Sequence, residues 1–276
     1  MILLDGQICD SPLLLDRGLA YGDGLFETIA LRDGQLLCWS AHMARLQRGC
    51  ALLGIIVPDL AQLLQEARHL AGERAQGVVK ILLTRGSGGR GYRPSAQPQT
   101  RRIVSLHEWP AELDTDPSVP VATWVCKQRL GHQPQLAGIK HLNRLEQVLA
   151  SAEWPSADYF EGLMLDFNEH LIEGIRSNLF VLKGADLLTP DLSLAGIAGV
   201  VREAVMAVAP AQGLTVRLAS LDVEQLATAD EVFLCNSVMG LRVVGRIEHH
   251  GRSIPVANNG IALELAAALR EADVIP

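Results

Sequence analysis

The chain has 276 residues, 49% of them hydrophobic, and a formal net charge of −7. That length admits one large domain or two modest ones, each with its own core. The acidic balance excludes nucleic acid as a partner, because phosphate-backbone binding needs concentrated positive charge. The start "MILLDGQICD" has no basic, apolar leader and no long apolar run follows, so neither a secretory signal nor a membrane span is expected. The five cysteines are widely spaced and form no C-x-x-C pair. They read as reduced thiols of a cytoplasmic protein, and no metal site is expected.

In chain order, "MILLDGQICD" reads as a short hairpin turning at Asp5-Gly6, and "LFETIALRDGQLLCW" as a longer one turning at Asp33-Gly34. "SAHMARLQRGCALLGI" has helical spacing, with Ser40 as the expected N-cap. "PDLAQLLQEARHLAGE" is a second helix, and "GVVKILLTRG" and "TRRIVSLHEW" are strands flanking a glycine-rich loop. The proline- and acid-rich stretch "HEWPAELDTDPSVP" breaks the periodicity. Beyond it "VATWVCKQRL" is a strand, "HLNRLEQVLASAEW" a helix, "YFEGLMLDFNEHLIEG" a hairpin turning near Asn168, and "SNLFVLKGADLLTP" a strand pair. "AGVVREAVMAVAPAQG" is helical, "LTVRLASL" and "EVFLCNS" are strands, and "NGIALELAAALREAD" is a closing helix; His249-His250 fall in a turn beside Gly251. Strands cluster in hairpins instead of alternating with helices, so the expected class is α+β. An N-terminal domain over 1–108, a linker over 109–120 and a C-terminal domain over 121–276 are expected.

Gly86-Ser-Gly88-Gly-Arg-Gly91 fits the G-x-G-x-x-G pattern of dinucleotide loops. Such a loop must open a helix whose N-terminus holds the pyrophosphate, and here Pro94 and Pro98 follow instead. The dinucleotide reading fails. What remains is a loop carrying Arg85, Arg90, Tyr92 and Arg93, either a solvated hairpin connection or a substrate loop whose arginines grip a carboxylate. Of the 24 Lys and Arg residues only four are lysine: Lys80, Lys127, Lys140 and Lys183. Lys140 stands apart, between a glycine-containing loop and an amphipathic helix. A nucleophilic lysine must be partly neutral, which burial and nearby positive charge promote.

"LAGIKHLNRLEQVL", "RGLAYGDGLFET", "HMARL" and "TRGSGGRGY", taken together, resemble the fold-type IV pyridoxal-phosphate enzymes over residues 16 to about 240. "GIKHLNR" beside "RGSGGRGY" is most similar to the aminodeoxychorismate lyases of that family, which release pyruvate and 4-aminobenzoate for folate synthesis. "YGDGLFET" is shared with the family's branched-chain and D-amino-acid aminotransferases, the alternative activity. The resemblance implies a two-domain fold, a pyridoxal 5'-phosphate cofactor, a small dicarboxylate substrate and a homodimer. It implies that Lys140 carries the cofactor and that Glu173 faces its ring nitrogen. Arg45, the backbone of Gly196, Ile197 and Ala198, and the hydroxyl of Ser237 would bind its phosphate. A threonine hydroxyl found in relatives is absent at Ala198. Asn143 would neighbour the cofactor; Arg90 and Tyr92 would sit at the substrate mouth, with Tyr21 and Thr28 assisting. Read without the resemblance, Arg45 is equally a surface charge on a helix and Glu173 a surface acid at a hairpin end.

Overall fold

Runs rich in apolar and β-branched residues, "LFETIALR" and "VVKILLT", suit a pleated, half-buried surface and pair as the centre of the first sheet. The computed structural model describes residues 3–4, 7–8, 12–89, 91–113 and 115–276. In it β1 (Leu3–Leu4) pairs with β2 (Gln7–Ile8); the turn expected at Asp5-Gly6 lies outside the described residues. A short α1 (Arg17–Tyr21) leads into β3 (Gly24–Arg32), which folds back as β4 (Gln35–Leu36). The turn is where it was expected: Asp33 and Gly34 both have positive φ, 49° and 76°, which matches a two-residue hairpin to the strand twist. Helices α2 (Trp39–Leu53) and α3 (Leu60–Ala71) come next, then β5 (Gln76–Thr84) and β6 (Arg101–His107). The sheet is antiparallel throughout, in the order β4-β3-β5-β6. Met43, Leu46, Cys50, Leu63 and Ala67 of the helices pack on Leu25, Ile29, Val79 and Ile81 of the strands. Ser40 is not the N-cap of α2. Cys38 holds that position in the left-handed region without a side-chain cap, and Ser40 lies within the first turn.

After a single 3-10 turn at Ala111–Leu113, the rest of the chain builds a nine-stranded sheet. Its elements are β7 (Val121–Leu130), α4 (Leu145–Ala152), β8 (Glu161–Asp166), β9 (Leu171–Gly174), β10 (Asn178–Lys183) and β11 (Asp186–Pro190). Then follow α5 (Val200–Val208), β12 (Thr215–Ala219), α6 (Val223–Leu226), β13 (Glu231–Asn236), β14 (Gly240–His249), β15 (Arg252–Pro255) and α7 (Ile261–Glu271). The strand order is β12-β11-β10-β13-β14-β7-β8-β9, with β15 beside β14. Two apolar clusters sandwich it. One sets Phe180 and Phe233, stacked at 5.1 Å, against Val201 and Val205 of α5 and Leu265 and Leu269 of α7. The other gathers Leu163, Leu179, Leu234 and Val244 with Leu226 of α6.

The α+β class is as expected, but β14 and β15 have no counterpart in the reading of the sequence. Arginines at 242 and 246 and Gly245 interrupt the apolar run of β14. The strand changes partner there, with a register shift between Val244 and Arg246. Gly245 is required because a Cβ would meet Pro120 Cβ at 2.7 Å. His249 closes the strand opposite Arg252, and only His250 and Gly251 form the turn. Among the described residues no helix is long and apolar enough to cross a membrane.

Phe180 is fully buried against Phe233 and the α5–α7 layer. Phe180→Ala is expected to lower stability by about 3–5 kcal/mol, read as a reduced urea midpoint with little change in slope.

Candidate active site

The segment 138–142 reaches across to β3. Phe26 N–H donates to Lys140 O (2.9 Å), Leu142 N–H donates to Gly24 O (3.0 Å), and Leu25 and His141 form a bridge. Lys140 is thereby fixed by its own backbone, and its Nζ stands 4.3 Å from the centroid of the Phe26 ring. Lysine and ring open into a cavity of about 450 Å³, whose wall also includes Thr28, Arg45, Glu173 and Ser237. The opposite wall comes from the turn between β9 and β10, the start of α5 and the turn after β13.

Burial, reinforced by the charge of Arg45, lowers Lys140 from the ordinary 10.5 to about 8; Glu27 and Glu173 pull the other way. A fraction of the amine is therefore neutral near neutral pH, as a nucleophile or proton acceptor requires. Glu173, on β9, is only 3% exposed. Burial raises its carboxyl to about 7, against the opposing hydrogen bond from Ile197 N–H and the charges of Arg144 and Lys140. Its Oε2 accepts from Ile197 N–H at 2.8 Å and its Oε1 from Gln147 Nε2 at 3.4 Å. Arg144 also lines the cavity and donates to the His141 ring, which burial and that arginine push down to about 4.

At the other end Arg45, on α2, is 5% exposed. Its Nε and Nη2 donate to the two oxygens of Glu27 (2.9 and 2.5 Å), and Nη1 donates to Ala198 O (3.0 Å). His42 Nδ1 lies 2.7 Å from Glu27 Oε2. Burial alone would raise Glu27; the charges and hydrogen bonds of Arg45 and His42 outweigh it and hold the carboxyl at about 2. The loop before α5 lies beside this cluster. Gly196 has φ 87°, and a Cβ there would strike Ile172 and Leu192 at 2.8 and 2.9 Å. Two of the backbone donors expected for an anion are already engaged: Ile197 N–H by Glu173, and Ala198 N–H by Gly138 O at 3.0 Å. The donors without intrahelical partners lie further on, at Gly199, Val200 and Val201, in the first turn of a helix whose N-cap, Gly199, carries no side-chain cap. Asn178 braces the loop through Ile197 O (2.8 Å). Ser237 sits in a turn held by Asn236 Oδ1, which accepts from Val238 and Met239 N–H.

Lys140, Glu173, Arg45, Ile197, Ser237 and Thr28 thus line one cavity, with Gly196 and Ala198 in the adjoining loop before α5. Asn143 does not join them. It is exposed, and its amide donates to Gly22 O at 3.0 Å, because the segment that presents Lys140 inward turns Asn143 outward along α1's end. Tyr21 and Tyr92 also lie apart. Their rings meet at 5.4 Å in a separate depression, where Arg17 ties Gly91 O and Tyr92 O to α1. Arg90 lies outside the described residues. Glu27, His42, Arg144, Gln147 and Asn178 were not singled out from the sequence. Glu27 lies inside the shared "GLFET" motif, His42 inside "HMARL", and Arg144 and Gln147 inside "LAGIKHLNRLEQVL"; Asn178 lies in none of the quoted motifs. Among the described residues no group of His, Cys, Asp or Glu could hold a metal ion.

Residues 24–247 match the family described as amino-transferase class IV. An aminodeoxychorismate lyase of Vibrio harveyi is 39% identical over 84% of this chain and 86% of its own. The crystal structure of a 4-amino-4-deoxychorismate lyase from Pseudomonas aeruginosa superposes with a TM-score of 0.86, at 43% identity and 97% coverage of each chain. A hypothetical aminotransferase of Mycobacterium tuberculosis in a PLP-bound form, 23% identical, shares the fold with a TM-score of 0.77 over 100% of this chain and 96% of its own.

Two outcomes are expected from this electrostatic arrangement. Brief treatment with a small aldehyde and cyanoborohydride near pH 7.5 should label Lys140 ahead of the other three lysines. Peptide mapping that finds all four equally labelled would contradict a partly neutral amine at 140. Between pH 4.5 and about 7 the folded chain keeps a proton on Glu173 that the unfolded chain has released. Wild-type stability should therefore fall with rising pH across that window relative to Glu173→Gln, as read from paired denaturation curves.

Proposed function

The chain belongs to the amino-transferase class IV family, and we propose that it acts as that family's lyase, eliminating pyruvate from 4-amino-4-deoxychorismate to leave 4-aminobenzoate, a step of folate synthesis. The observation that carries this reading is the pairing of a depressed lysine with a buried carboxylate, in a chain whose lyase relatives match along most of their length. The cofactor is pyridoxal 5'-phosphate, and the residues present fit it. Lys140 offers an amine to an aldehyde, Glu173 offers a carboxylate to a ring nitrogen, and Arg45, Ser237 and the first turn of α5 offer donors to a phosphate. When bound, the group supplies an electrophilic carbon and a ring that accepts an electron pair.

The chain's own residues then divide the work. Lys140 Nζ takes the proton lost by the substrate ring and returns it to the departing enol. The C–O bond to the enolpyruvyl group breaks, the enol becomes pyruvate, and no external oxidant or acceptor is consumed. Glu173, held by Ile197 N–H and Gln147, would accept from a protonated ring nitrogen and so favour the ring's electron-accepting form. Phe26 and Thr28 supply the wall beside Lys140 that limits access by water.

The remaining expectations belong to the same reading: a cytoplasmic enzyme, two domains divided at residues 109–120, and a homodimer. α4 leaves Leu145, Val148 and Leu149 exposed, an apolar face that a second copy would cover. A substrate role for Tyr21, Tyr92 and Arg90 is retained within that assembly, since Tyr21 and Tyr92 do not line the cavity of their own chain. An aminotransferase on the same scaffold is the competing activity. Incubation with 4-amino-4-deoxychorismate and no keto acid should release pyruvate and 4-aminobenzoate together, and Lys140→Ala should release neither. Amino-group transfer to a keto acid without those products would replace the lyase reading.

A further inference from the structure

We propose that Glu27, braced by His42, is the positioning residue for the anion-binding end of the cavity, acting through Arg45 and touching neither substrate nor cofactor. This rests on the reading that Arg45 meets the cofactor's phosphate. Glu27 is 1% exposed, His42 0% and Arg45 5%, so all three are cut off from bulk water. Glu27 engages Arg45 with both oxygens along the Nε–Nη2 edge, at 2.9 and 2.5 Å. Nη1 is held by Ala198 O, on the loop that leads into α5. A guanidinium has five N–H donors; three are committed in this way, and the others remain for an anion in the cavity that Arg45 lines. A two-point fork permits one guanidinium orientation, whereas a single contact would leave the arginine free to swing.

His42 completes the brace. A carboxylate only accepts, so the short contact from His42 Nδ1 to Glu27 Oε2 (2.7 Å) requires the hydrogen on Nδ1. The other nitrogen, Nε2, is buried without a partner. A polar atom left in that condition is costly and is retained where the ring's other contact matters. Glu27 comes from β3, His42 and Arg45 from α2, and Ala198 from the loop before α5. The network therefore ties the first sheet and its helix to the loop that opens the anion-binding helix.

The charge on Glu27 has a second consequence. Arg45 lowers and Glu27 raises the proton affinity of Lys140, so the carboxylate offsets a buried cation beside the amine. A test must therefore separate the anion end from the lysine end. Pyridoxal and pyridoxal 5'-phosphate differ only in the phosphate. Their dissociation constants, measured by fluorescence on the full-length chain freed of cofactor, give a ratio that cancels effects on the lysine and on folding shared by both ligands.

Glu27→Gln should shrink the preference for the phosphorylated ligand by about tenfold, the scale of one charged hydrogen bond lost. His42→Gln should shrink it by about threefold, since only the brace is loosened. The double variant Glu27→Gln/Arg45→Gln should match Arg45→Gln alone, because Glu27 works only through the arginine; removing both charges also leaves no unpaired buried ion, so it serves if Glu27→Gln does not fold. If Arg45→Gln reduces the preference but Glu27→Gln leaves it equal or stronger, the positioning role is wrong while the phosphate reading stands. Further loss in the double variant, beyond Arg45→Gln, would mean that Glu27 acts on the ligand by another route and would equally overturn it. An unchanged preference in Arg45→Gln removes the phosphate reading itself.

Discussion

Two backbone hydrogen bonds, from Phe26 N–H to Lys140 O and from Leu142 N–H to Gly24 O, set where Lys140 stands in the cavity. They occupy the edge of β3 that β5 leaves open, since β4 pairs only with Leu31 and Arg32. The connection after β7 is thereby grafted onto the first sheet as a short extra strand. A side chain in that position points where the pleat directs it, with no dependence on loop flexibility. Lys140 consequently faces Phe26 from the same structural unit, and the second sheet closes the cavity from outside with Glu173 and the start of α5.

Taking that lysine out of water creates an electrostatic problem that the surrounding charges resolve in opposite senses at the two ends. At the Arg45 end the pairing is complete. Glu27 meets the guanidinium along one edge and is held far below the ordinary carboxylate range. At the other end Glu173 faces Arg144 and Lys140 without a direct ion pair, and its carboxyl is pushed up to about 7. Two buried glutamates near one amine therefore differ by several pH units, set by contact geometry and not by residue type. A permanently anionic group suits a structural brace. A group poised near neutrality suits one that must respond to a proton on its partner.

Much of this was legible in the sequence. Apolar and β-branched runs place β3, β5 and β8, which are buried along most of their length, and helical spacing places α5. Lys140 stands out through the scarcity of lysine and its place before a helix, and Arg45 and Glu173 through family resemblance alone. What the pattern could not carry are the features decided by long-range contact. β14 changes partner at Gly245, so its apolar run is broken where its neighbours change. Asn143 follows Lys140 by three residues yet points to Gly22, because a short bridge, not a helix, controls the segment. Glu27 sat in plain view within a recognised motif. Its partners lie 15 and 18 residues away on another element, and no local spacing predicts a three-residue buried cluster of that kind.

The start of α5 shows the same logic in the backbone. A serine or aspartate at an N-cap would satisfy the first-turn N–H groups from within the helix. Here the cap is Gly199, which offers no side chain. A Cβ in its place would meet Asn178 Oδ1 at 2.0 Å, so the bracing amide and the bare cap require one another. Ile197 and Ala198 commit their own N–H groups to Glu173 and Gly138, which fixes the loop's path and leaves the donors of the following turn directed at the cavity. The loop thereby joins Glu173 to the uncapped first turn of α5, both of which line the cavity. On the proposed reading, and with alanine at 198, attraction for an anion at this end would rest on the helix dipole, the uncapped amides, Ser237 and one braced arginine. Selectivity there is a property of backbone path more than of side-chain inventory.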